Sequence, residues 1–76
     1  MSIAKALSLN IRERLVRLEM TQGQLAAAVG MTPTALSARM RGQREFRLSE
    51  MAAIAEALEV ELPYLVANAP EMEVAR

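Results

Sequence analysis

The chain has 76 residues, of which 53% are apolar and only Phe46 and Tyr64 are aromatic, and its net charge is zero at pH 7. That length is expected to hold one small domain with a single core and no fused ligand-binding or dimerisation module. Cysteine, histidine and aspartate are absent, which excludes disulfides and a thiolate or imidazole metal site and leaves no nucleophile–base pair, so neither an enzyme nor a metal or cofactor protein is expected.

Leu7, Ile11, Leu15 and Leu18 recur at intervals of four, four and three, which predicts a first amphipathic helix over 2–18. Arg12, Arg14 and Arg17 fall off that stripe. Each reads as a solvated charge, as a partner for Glu13 or Glu19, or as a phosphate contact. Met20 is expected to close over the core. Thr21 and Gln24 then spell a T-x-x-Q capping box, so a second helix starts at Gln22 and runs to Val29 with Leu25 and Ala26 inward. Gly30 can end it in one residue, because without a Cβ it adopts a left-handed backbone at no steric cost. Met31 follows as a core-facing hinge residue. Thr32 before Pro33 opens a third helix, since the hydroxyl can accept from an orphan amide and proline loses nothing at the first helical position. With Leu36 and Met40 turned inward, the outward face of helix three, Pro33 to Arg41, carries Thr32, Pro33, Thr34, Ser37, Ala38 and Arg41.

The stretch from Thr21 to Gly42, TQGQLAAAVGMTPTALSARMRG, resembles the helix-turn-helix of the Cro and cI phage repressor family, and the likeness continues through FRLSEMAAIAEALEVELPYLV to about residue 66. It implies an all-α fold, a compact five-helix domain of the lambda-repressor kind, and sequence-specific binding of double-stranded DNA. It also implies roles. Gln22 is similar to the family glutamine that meets a DNA phosphate at a helix N-terminus. Thr32, Pro33, Thr34, Ser37, Ala38 and Arg41 match the positions from which the family reads bases or grips backbone in the major groove. Gln43 and Arg44, together with Arg47, resemble the loop that holds phosphates after the reading helix.

Two departures stand out. No Gln or Asn pair is present to read adenine, and Ala38 offers only a methyl contact to thymine, so specificity leans on Thr34, Ser37, Arg41 and DNA shape. Arg39 lies three residues after Leu36, on the apolar side, where the family commonly has an aliphatic residue. An arginine there needs a partner, and Glu50 early in the next helix is expected to supply a partly buried ion pair.

In the loop after Gly42, Phe46 is expected to anchor the chain to the core. Helix four, Leu48 to Leu58, places Leu48, Met51, Ile54, Ala55 and Leu58 on one face. Glu59 stands where the family prefers glycine, so a left-handed helix end there carries a strain of roughly 1 kcal/mol. A short fifth helix opens near Glu61 with Pro63 in its first turn and Tyr64 on its outer side. Residues 1–67 are expected to form the DNA-binding domain, and 68–76, with Pro70 and two glutamates, a loose or partner-binding tail.

Charge is divided along the chain. Eight basic residues against three glutamates give +5 up to Arg47, and one arginine against six glutamates gives −5 after it, as expected of a domain with one nucleic-acid face and an acidic back. No leader or long apolar run appears, so a soluble, cytoplasmic protein without a membrane partner is expected, and no small-molecule ligand is implied. The function expected is that of a small phage Cro-like or repressor-like transcriptional regulator occupying an operator. It is expected to act as a homodimer, at least on DNA, through Tyr64, Leu65 and Val66, over half-sites roughly 34–36 Å apart. Two alternatives remain open at this point. One is an antitoxin that represses its own operon and binds a toxin through its C-terminal part; the other is an interaction module whose third helix no longer reads DNA.

Overall fold

The computed structural model describes residues 3–66. The expected tail and the domain end at residue 67 lie outside the described residues. Within them the chain forms five helices and no strands: α1 Ile3–Leu18, α2 Gln22–Val29, α3 Pro33–Met40, α4 Leu48–Ala57 and α5 Leu62–Val66. Helix α1 packs against α5 and α3, α2 packs against α3 and α4, and α4 closes on α5. Every helix therefore has at least two neighbours, and its apolar stripe faces inward.

The core draws on each helix in turn. Ile11, Leu25, Leu36, Ile54 and Leu65, with Leu58 at the end of α4, are the largest fully buried side chains. Met20, Met31 and Phe46 pack against this centre from the connecting segments. Leu48 departs from the expected inward face and is 69% exposed. It is the first residue of α4, nearly two turns before Ile54, and only the later turns of that helix reach the core.

Four helices end in the same way. Glu19, Gly30, Gly42 and Glu59 all have positive φ, between 54° and 81°. Each amide donates to the carbonyl three residues back, while the following amide reaches five residues back, as in Met20 to Leu15 at 2.9 Å and Val60 to Ala55 at 3.0 Å. This double hydrogen bond satisfies carbonyls that a helix end otherwise leaves without partners. At Glu59 it occurs where a non-glycine left-handed residue was anticipated. At Glu19 the same strain occurs without having been read from the sequence.

Three further helix-end carbonyls are covered from α1. Ser8, buried, donates its hydroxyl to the Met40 carbonyl at the end of α3. Asn10 Nδ2 donates to Leu65 O at 2.8 Å, and Arg14 Nε donates to Leu58 O at 2.9 Å. The polar side of α1 thus ties down the carbonyl ends of α3, α5 and α4. Arg14 is half-buried in this role, so beside the partners the sequence had left open it takes a helix-end carbonyl that was not among them. An Arg side chain suits the position, because the cation also offsets the negative end of the α4 dipole.

Candidate nucleic-acid interface

The helix pair α2–α3 is fixed by its own end chemistry. Thr21 Oγ1 accepts from the Gln24 amide at 3.0 Å, and Gln24 Oε1 accepts from the Thr21 amide at 2.8 Å, forming a reciprocal cap on α2. Gln24 is thereby committed to the cap. Gln22, in the same first turn, is half-buried and is the glutamine not used by that box. Three residues, Gly30 to Thr32, separate α2 from α3. Gly30 takes φ 76°, which lets the chain reverse within that length.

Thr32 Oγ1 accepts from the Ala35 amide at 3.0 Å. A hydroxyl carries a donor as well as two acceptor lone pairs, so its O–H can still be directed at a phosphate oxygen. The first turn of α3 is open to solvent: Thr32, Pro33 and Thr34 are exposed, Ser37 and Ala38 are half-buried, and Arg41 is exposed. Leu36 and Met40 are in the core on the opposite side. An α-helix with its side chains is about 10–12 Å across, which a B-DNA major groove about 12 Å wide admits.

Arg39 does not belong to that outward face. Its Nε donates to Glu50 Oε1 at 2.8 Å and its Nη1 to Ala35 O at 3.3 Å, and the two charged side chains are 15% and 17% exposed. The same Glu50 oxygen accepts from the Arg47 amide at 2.8 Å. Arginine has no side-chain acceptor, so α4 is capped at its start by the Glu50 carboxylate alone. One oxygen therefore joins α3 to α4 and closes the N-terminus of α4. Burial would raise the Glu50 pKa, but the Arg47 amide, the Arg39 hydrogen bond and the two guanidinium charges outweigh it and hold the carboxyl below its usual range.

After α3, Gln43 and Arg44 are exposed. Gln43 Oε1 accepts from Arg41 Nη2 at 3.2 Å, so the loop orients the last cation of the helix. In α5, Tyr64 is at the surface and its hydroxyl meets Glu13 Oε1 at 3.4 Å. Val66 is half-buried. Leu65, expected beside them at a dimer interface, is fully buried within the protomer. It faces α1 and the core because the five-residue helix has only one inward face, and it is withdrawn from that role.

The sequence left Arg12 as one of three arginines open to a phosphate and gave Lys5 no such role; both line a groove beside Arg41. Their seven-residue spacing, two helical turns, was the available signal. Among the described residues no three His, Cys, Asp or Glu side chains converge as metal ligands would, and no helix is long and apolar enough to cross a membrane.

No curated protein and no solved structure matches the chain. The Helix-turn-helix family model of the Cro/cI type matches residues 11–65, well over half of the sequence and all of α2, α3 and α4. Its span includes the Thr21 cap, the Gly30 turn, the exposed face of α3 and the loop to α4. The chain therefore belongs to the Cro/cI-type helix-turn-helix family, and is a DNA-binding transcription regulator rather than a member of an enzyme family.

Proposed function

We propose that this regulator occupies operator DNA by laying α3 in the major groove, in the manner of a small phage Cro or repressor protein. The observation that carries the reading is the division of α3. Its hydrophobic residues Leu36 and Met40 are buried, Arg39 is engaged by Glu50, and Thr34, Ser37, Ala38 and Arg41 remain on the opposite side. In this arrangement Thr34 and Ser37 offer hydroxyls to base edges, Ala38 a methyl surface to thymine, and Arg41 a fork to guanine or to phosphate. Gln22 and Thr32 hold phosphates ahead of the helix, Pro33 presets its first turn, and Gln43 and Arg44 hold phosphates behind it.

Two copies, related by a two-fold axis and meeting through Tyr64 and Val66, would place two such helices on half-sites about one turn of DNA apart. Footprinting on the DNA that flanks the gene tests this reading. A protected palindrome with half-sites about 34–36 Å apart is expected; uniform, sequence-independent protection would overturn operator recognition by α3.

A further inference from the structure

We infer that the groove between α1 and the end of α3 is a second seat for the phosphodiester backbone, gripping the same duplex outside the segment that α3 enters. The inference rests on the proposed function and extends its footprint to helix α1.

The groove has a volume of ≈ 610 Å³, with Lys5, Leu9 and Arg12 of α1 on one wall and Arg41 and Gly42 on the other. Among the described residues three cations line it and no carboxylate does. The acceptor that would most repel an anion there is the Met40 carbonyl at the negative end of α3, and it already receives the buried Ser8 hydroxyl. Lys5 and Arg12 lie on one face of α1, roughly 10 Å apart along its axis by the helical rise. They therefore flank the groove rather than crowd one point in it.

Arg41 opposes them, turned by its hydrogen bond to Gln43. Gly42 has no side chain, and nothing occupies the space that a Cβ would enter, so the mouth stays open at the end of α3. Leu9 is exposed on the same wall and supplies apolar surface for deoxyribose carbons. A strand of alternating phosphate and sugar fits a wide groove of alternating cation and apolar surface. A lone inorganic anion would fill only a small part of it. Arg41 belongs both to this groove and to the outward face of α3, so a strand leaving the major groove passes directly between the walls.

The test uses the full chain and a duplex recovered by footprinting, with Arg12→Gln compared against Arg17→Gln. Both variants remove one exposed charge from α1, but only Arg12 lines the groove. If Arg12 holds a phosphate, its loss lowers the log–log salt slope of binding by about one unit, which at 0.1 M salt corresponds to about eightfold weaker binding. Ethylation interference at one flanking phosphate should vanish with it. Arg17→Gln should change affinity by less than about twofold, and Arg12→Lys should keep the slope. The melting temperature of each variant is measured alongside and is expected to stay at the wild-type value. Equal losses from Arg12→Gln and Arg17→Gln would reduce the effect to the general field of the domain and overturn the inference. An unchanged slope and interference pattern in Arg12→Gln would overturn it while operator binding stands, whereas a chain that binds no duplex at all overturns both.

Discussion

Replacing Arg39 by methionine separates a structural arginine from a DNA-reading one. The pair with Glu50 is neither a surface contact nor a fully enclosed one, at 15% and 17% exposure. Exposed pairs are worth about 0–1 kcal/mol and breaking a fully buried pair costs about 3–5 kcal/mol. A coupling of about 1–2 kcal/mol is therefore expected from the Arg39→Met, Glu50→Gln double-mutant cycle, read from urea midpoints. Glu50→Ala should cost more than Arg39→Met, about 2–3 kcal/mol, because it also frees the Arg47 amide at the start of α4. The acid dependence has a definite sign. The folded Glu50 carboxyl titrates below its unfolded value, near 4.3, so its contribution is complete above that value and is lost as pH falls through the lower, folded pKa. Glu50→Gln should flatten this acid limb. DNA affinity of folded Arg39→Met should stay within about twofold of wild type, since Arg39 makes no contribution to the outward face. A large loss of affinity with an unchanged urea midpoint would refute the assignment and place Arg39 on the duplex.

Other perturbations test the remaining supports of the fold. Arg14→Gln should lower stability by about 1–2 kcal/mol through the uncovered Leu58 carbonyl, with the salt slope of DNA binding unchanged; a lower slope would make Arg14 a phosphate contact. Glu59→Gly should gain up to about 1 kcal/mol by relieving a left-handed non-glycine residue, offset in part by the entropy glycine loses on folding. Gly30→Ala should lose about 1–2 kcal/mol from backbone strain alone, because no atom lies within 4 Å of the added Cβ; thermal melts of the two variants shifting in the same direction would contradict this. Leu65→Ala should cost about 2–5 kcal/mol while Leu48→Ser stays within about 0.5 kcal/mol, and the reverse order would mean that α4 and α5 face the other way.

Periodicity and end chemistry made most of the helix scaffold legible in the sequence. The Thr21–Gln24 box and the Thr32–Pro33 start are local signals, carried by residues within four positions of one another, and α2 spans the residues expected of it. Arg39 and Glu50 could be paired because a charge on an apolar face demands a partner and one glutamate stood in the first turn of the next helix. What escaped was long-range or geometric. Ser8, Asn10 and Arg14 reach carbonyls 32, 55 and 44 residues away, and no spacing within α1 announces such partners. Leu48 fits the helical period of α4 but sits in its first turn, and period alone does not say where a stripe begins to meet the core. Leu65 and Tyr64 are adjacent in sequence, yet one is buried and the other at the surface of a five-residue helix, which a grouping by position could not separate. The groove at Lys5 and Arg12 exists only because the end of α3 lies beside them.

The most direct test compares specific with scrambled duplex for wild type and for a variant carrying Thr34→Ala, Ser37→Ala and Arg41→Gln, each across a range of salt. If α3 reads the major groove, the variant loses its preference for the specific duplex, by roughly 1–3 kcal/mol per base contact removed, and keeps weaker, salt-sensitive binding through Gln22, Thr32, Gln43 and Arg44. Retained discrimination by that variant would mean that the sequence is read by another surface of the domain.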